Sequence, residues 1–215
     1  MSPRRYASPL RQAEAARTRA AILDAAATLF SRDGYAATTM KDIATEATVS
    51  VQSVHLAGSK AALLVAAFER TLAGDDTGAG AMRPATEKLI ERLDVDDAMG
   101  EWLDDITRAH ERTAGLARAI SVAAETDAVA AAAVADLDAR RRDDIRIALT
   151  WLVDRGVLSA EDVAEVADEF SYVFSPETFA FFVTRSGWPV ARYRDWLDRT
   201  LTALLSRRAD DLRVA

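Results

Sequence analysis

The helix stops and starts between Gly34 and Ser59 constrain this chain more than any other feature. A helix with the apolar stripe Ile22, Ala26, Leu29 and Phe30 ends at Arg32-Asp33-Gly34, where glycine supplies a left-handed C-terminal turn. Thr39-Met40-Lys41-Asp42 is a capping box that opens a second helix, with Met40, Ile43, Ala44 and Ala47 on its buried side. Thr48-Val49-Ser50 then turns into a third helix over roughly 51–56. Gly58 ends that helix, and Ser59 caps a fourth that carries Leu63, Leu64, Ala67, Phe68 and Leu72. Helices of about two turns are not stable alone in water. Helices one and two can hold the third against them, leaving one of its sides free.

Nothing in the chain alternates apolar and polar residues as a strand does, and no internal repeat is present. Alanine, leucine, glutamate and arginine dominate and asparagine is absent, which favours helix in almost every window. The first helix begins near Ser8-Pro9, an N-cap followed by proline. Residues 73–81, with Gly74, Gly78, Gly80, Asp75 and Asp76, form the most loop-like segment. Further helices are expected over 84–93, 96–112, 114–125, 127–155, 159–174, 176–185 and 190–208. The 127–155 helix carries apolar residues on two sides (Ile145, Leu149, Leu152 and Ile147, Trp151), so a central position is expected. Ser159-Ala160-Glu161-Asp162 is expected to cap the next helix, whose stripe includes Val163, Val166, Ala167, Phe170, Val173 and Phe174. The last helix has the cleanest stripe: Tyr193, Trp196, Leu197, Thr200, Leu201, Leu204 and Leu205.

The net charge of −7 over 215 residues argues against a nucleic-acid binder, but it is unevenly spread. Residues 1–70 hold nine basic and six acidic side chains, whereas residues 71–215 hold eighteen and twenty-eight. A small nucleic-acid-facing module joined to an acidic one fits that asymmetry. Without cysteine, neither a disulfide framework nor a thiolate zinc site can form. The longest apolar run, Ala128 to Ala135, is far short of a bilayer span, and no apolar signal stretch follows Arg4, Arg5 and Arg11. A cytoplasmic protein is expected.

Three short helices with a tight turn between the second and third fit a helix-turn-helix unit, although such clusters also occur in proteins that never touch DNA. Val49 and Val54 can face the small core while Gln52, Ser53 and His55 point outward. The residues themselves then narrow the choice. Ile22-Leu23-Asp24-Ala25-Ala26, Leu29-Phe30, Asp33-Gly34-Tyr35, Thr38 through Ala44, Val49-Ser50 and Gly58-Ser59-Lys60-Ala61-Ala62-Leu63-Leu64 together resemble the start of TetR-family transcriptional regulators. The resemblance covers about residues 17–68. Ser175-Pro176-Glu177, Gly187-Trp188 and Tyr193 to Leu197 are similar to a branch of the same family.

The resemblance implies an all-α fold, with an N-terminal three-helix helix-turn-helix DNA-binding domain (1–58) and a C-terminal helical ligand-binding and dimerisation domain (59–215). It implies that Thr38 and Thr39 sit near a phosphate, and that Lys41 reaches a base edge or phosphate. Val51, Gln52 and Ser53 take the base-facing positions, His55 replaces a phosphate-binding tyrosine, and Lys60 contacts another phosphate. Glutamine can pair with adenine and valine can touch a thymine methyl. Two departures stand out: Thr48 replaces the glycine before the turn, and Leu56-Ala57 replaces a longer aromatic stretch ending in phenylalanine.

Only Lys41 and Lys60 are basic across 39–60, so Arg4, Arg5 and Arg11 form either an arm along the DNA or a solvated terminus. Neither His55 nor His110 has a metal-binding partner at helical spacing, and no cofactor or catalytic residue is expected. Arg140-Arg141-Arg142 reads as a solvated face with local ion pairs, or less readily as a second DNA patch. Trp102, His110, Trp151 and Tyr172 are candidates to line an effector cavity, and Phe170, Phe174, Trp196, Leu197, Leu201 and Leu204 to form a homodimer interface. The expected protein is a dimeric repressor on a near-palindromic double-stranded DNA operator, released by a small-molecule effector. Two alternatives stay open: a DNA-binding protein that acts through a protein partner without an effector, and a helical enzyme.

Overall fold

Capping chemistry sets the helix boundaries, and apolar faces set their packing. The computed structural model describes residues 9–74 and 95–214, so the helix expected at 84–93 and most of the 73–81 loop lie outside the described residues. The described elements are α1 (Pro9–Ala37), α2 (Met40–Glu46), α3 (Val51–Ala57), α4 (Lys60–Ala73), α5 (Val95–Ala124), α6 (Ala128–Asp154), α7 (Val163–Val173), α8 (Pro176–Phe179) and α9 (Val190–Val214). No strand occurs among the described residues, and the fold is all-α. α1 is broken at Gly34, whose φ of 80° is the left-handed geometry that glycine adopts freely. No single described helix is long and apolar enough to cross a membrane.

Several expected boundaries move, each for a local reason. The helices expected at 96–112 and 114–125 are one, α5. Thr113 does not interrupt it, because its buried hydroxyl donates to the Ala109 carbonyl at 2.7 Å. Gly115 is a crossing point rather than a break: a Cβ there would lie 2.8 Å from Ser31 Cβ and 2.9 Å from Ser31 Cα on α1. Ser159 closes a turn by accepting from the Glu161 N–H at 3.2 Å, so α7 starts only at Val163. The segment expected as one helix over 176–185 changes pitch, from α8 to a π-helical turn over Ala180–Arg185. On α6, Ile145, Leu149 and Leu152 are inside and Trp151 is half-buried against the same cluster, whereas Ile147 is exposed.

The interior forms two clusters. The first joins α1 through α4 to the C-terminal half of α5 and to Ala130 of α6. The second joins Leu103 and Ile106 of α5 to the later part of α6, α7, α8 and α9. α5, about 45 Å long at 1.5 Å per residue, therefore runs through both. Phe170, Phe174, Leu197 and Leu201 are buried in the second cluster, which removes them from any surface between copies. Trp196 and Leu204 are half-buried against the same cluster.

Ion pairs tie neighbouring helices at the surface. Arg140 of α6 bonds Glu69 of α4 at 2.8 Å, Arg142 bonds Asp168 of α7 at 3.1 Å, and Arg194 of α9 bonds Asp104 of α5 at 2.8 Å. Arg141 bonds Asp138 at 2.7 Å, so the triple-arginine segment is laced with ion pairs.

Candidate nucleic-acid interface

Three caps in succession fix where α3 points. At α2 the Asp42 N–H donates to Thr39 Oγ1 at 3.1 Å, while the Thr39 N–H donates back to Asp42 Oδ2 at 3.0 Å. The Thr39 hydroxyl, which also donates to Asp42 Oδ2 at 2.6 Å, and then the Thr39 N–H hold the Asp42 carboxyl below the usual carboxylate range. α2 ends in a Schellman motif, with Val49 N–H donating to Ala44 O at 3.0 Å and Thr48 N–H to Thr45 O at 3.2 Å. The residue that takes the left-handed turn is Thr48, with φ of 56°. Ser50 then caps α3, accepting from the Ser53 N–H at 3.1 Å, and the two hydroxyls lie 2.9 Å apart.

Val54 is fully buried and Val49 packs against the same core, so the opposite side of α3 is turned to solvent. Gln52 and His55 are exposed there, Val51 is 40% exposed, and Ser53 is half-buried beside its cap. In place of an aromatic plug, Ala57 packs inward, and the Arg19 guanidinium donates to the Ala57 carbonyl at 3.0 Å. The end of α3 is thus clasped to α1. Leu56, expected only as part of the shortened Leu56-Ala57 segment and not as a contact residue, is left 82% exposed.

Thr39 and Lys41 are both exposed at the start of α2. Thr38 is different. It is 2% exposed and its hydroxyl donates to the Gly34 carbonyl at 2.8 Å, so its side chain stabilises the α1–α2 turn and does not face a phosphate. Lys60 places its ammonium 4.4 Å from the centre of the Tyr35 ring, and partial burial lowers its pKa. The Tyr35 hydroxyl in turn donates to Asp127 Oδ2 at 3.1 Å, and Asp127 is the N-cap of α6. The helix-turn-helix is therefore joined through one phenol to the far half of the chain. Of the proposed arm, Arg11 is an exposed residue of α1, and Arg4 and Arg5 lie outside the described residues.

The candidates for an effector cavity do not all converge. His110 is buried, its Nδ1 lies 3.3 Å from the Tyr193 hydroxyl, and its ring sits 5.9 Å from that of Phe179. Burial pushes its pKa down to about 3, with the Arg141 charge adding to the effect and a backbone hydrogen bond at Phe174 opposing it. Trp102 meets Phe174 edge-on at 4.6 Å, and Trp151 carries Arg155 over its ring at 4.2 Å. The Trp151 indole nitrogen is sealed from solvent without a hydrogen-bond partner. Tyr172, by contrast, is 75% exposed, so it lines no interior site. No cluster of three or more metal-binding side chains occurs among the described residues.

Residues 22–67 match the family described as bacterial regulatory proteins, tetR family. No curated relative matches the chain. The fold is similar to that of a transcriptional regulator from Pseudomonas aeruginosa PAO1, at 13% identity and a TM-score of 0.69, with 96% of each chain covered. It is also similar to a TetR-family regulator from Mesorhizobium loti, at 21% identity and a TM-score of 0.71, over 89% of this chain and 96% of that one. A transcriptional regulator from Saccharomonospora viridis, solved with choline, matches at 18% identity and a TM-score of 0.65, over 86% of this chain and 95% of its own. The sequence match runs from within α1 into α4, the segment whose caps aim α3 outward, so residues 22–67 are similar to the N-terminal module of the tetR family and the whole chain shares its fold with regulators of that kind.

Proposed function

We propose that this chain is a TetR-family transcriptional regulator, a homodimeric repressor that reads a near-palindromic DNA operator and leaves it when a small molecule binds the C-terminal half. The observation that carries the DNA reading is the capped, outward-facing α3, with Val54 as its inward anchor and Gln52 central on the free side. Val51, Gln52, Ser53 and His55 would enter the major groove, with Thr39, Lys41 and Lys60 along the phosphates. Two such helices would lie about 34–36 Å apart in a dimer. With four of the expected interface residues interior, the contact between copies falls on the exposed large apolar side chains of this half, among them Tyr172 and Phe181.

Release by an effector is supported by three features. The choline-bound neighbour is similar in fold along most of its length. The second core holds a neutral His110 and an indole N–H of Trp151 that lacks an acceptor. α5 and α6 reach from that core to the reading helices, and α4 is tied to α6 through Arg140–Glu69. An effector that favours a different α5–α6 arrangement would re-aim α3.

The test is selection of bound fragments from a random DNA pool by the full-length protein, at two salt concentrations, with sedimentation to establish the dimer. Enrichment of a two-fold-related sequence is expected. Lys41→Ala and Lys60→Ala should weaken binding evenly across sequences and lower the salt slope by about one each. A wild-type protein that enriches no sequence would overturn the reading.

A further inference from the structure

We infer that Leu56 is a base-reading residue that recognises the 5-methyl group of a thymine within two base pairs of the adenine read by Gln52. The assignment rests on the DNA reading proposed above and extends it to a side chain outside the expected contact set.

The geometry of α3 supplies the argument. At 100° per residue, the direction opposite the buried Val54 passes between Gln52 and Leu56, each about 20° from it. These two, one helical turn apart, are the most outward positions of the helix. Leu56 is 82% exposed, and nothing among the described residues covers it. Its isolation identifies what it fits. Among the described residues of 9–74, the other exposed large apolar side chain is Val51, and Gln52 and His55 break any continuity between the two. A protein partner needs about 800 Å² of surface on each side, far more than two separated side chains offer. The thymine methyl is the apolar group that the major groove itself presents, and it is one side chain in size.

Distance along the helix sets the register. Four residues rise about 6 Å, which spans about two base pairs at 3.4 Å each. The thymine contacted by Leu56 therefore lies one or two base pairs from the adenine contacted by Gln52. A polar helix face with few cations gains discrimination here from desolvating a methyl rather than from charge.

The experiment uses the full-length protein and the operator it selects, with each thymine replaced in turn by deoxyuridine, which lacks the methyl. Burial of one methyl-sized group corresponds to about fourfold in affinity. One replacement within two base pairs of the adenine is expected to weaken wild-type binding by about that factor, and Leu56→Ala is expected to be insensitive to the same replacement. Leu56→Gln, which keeps the length without the apolar end, should behave as the alanine variant does. At 82% exposure neither substitution disturbs the core. A Leu56→Ala protein that responds to every deoxyuridine as the wild type does overturns the inference and leaves the DNA reading intact. An operator in which no thymine responds overturns it as well. Failure of the wild type to select any sequence defeats the DNA reading itself, and this assignment with it.

Discussion

Thr48 sits with φ at 56°, where the β-branched side chain of a threonine crowds its own backbone. For a residue with a Cβ, that conformation costs roughly 1–2 kcal/mol, and glycine avoids it at some expense in unfolded-chain entropy. The Schellman hydrogen bonds of α2 hold the residue there regardless. The side chain is exposed, so little contact is lost on removing it. Thr48→Gly is expected to stabilise the protein by about 0.5–1 kcal/mol and to raise Tm by a few degrees, measured by urea and thermal unfolding. A drop in stability would show that the threonine side chain contributes more than its strain removes. Sequence alone marks the position as unusual, because a glycine is expected before this turn. The positive φ is what turns that oddity into an energy.

The crossing of α1 and α5 is decided by one missing methyl group. Helix propensity predicts that Gly115→Ala stabilises α5 by about 1 kcal/mol. Packing predicts the reverse, because the new Cβ would meet the Cα, Cβ and carbonyl oxygen of Ser31 at 2.8–3.0 Å, and backbone cannot step aside as a flexible side chain can. A net destabilisation of about 1–3 kcal/mol is expected in urea titrations, and a gain would mean that the helices separate freely. The helix boundaries around the reading motif were legible because they are local: Thr39 with Asp42, Ser50 with Ser53, and glycines at 34 and 58. Packing partners were not. Whether Gly115 breaks a helix or admits a neighbour depends on Ser31, more than eighty residues away in sequence. For the same reason the stripes of α7 and α9 showed which residues are apolar but not whether Phe170, Phe174, Leu197 and Leu201 face a partner or the chain's own interior. Of the candidate site, the exposed positions Gln52, His55 and Lys41 follow from helical period alone. The inward turn of Thr38, the exposure of Leu56 and the Lys60–Tyr35–Asp127 link required the three-dimensional arrangement.

At the scale of the molecule, His110 gives stability a pH dependence with a definite sign. In the folded state its pKa is about 3, while in the unfolded chain it returns to the ordinary histidine value of 6.5. Below pH 6.5 the unfolded chain binds a proton that the folded one refuses, so this residue's contribution to stability falls as pH drops through the window from 6.5 toward 3. Each pH unit within that window corresponds to at most about 1.4 kcal/mol. Chemical denaturation at pH 7, 6 and 5 should show the decline, and His110→Gln should flatten it. An unchanged slope in the variant would place the acid sensitivity elsewhere. Neutral His110 also belongs to the half of the interior that excludes the helix-turn-helix, whereas Leu116, Ile120 and Ala130 lie beneath it. That division bears on any attempt to graft this front end onto another sensor. A chimera joined after α4 would strip the reading helices of their floor, so the transplanted unit must carry the distal third of α5 and the opening turn of α6, non-contiguous in sequence though they are.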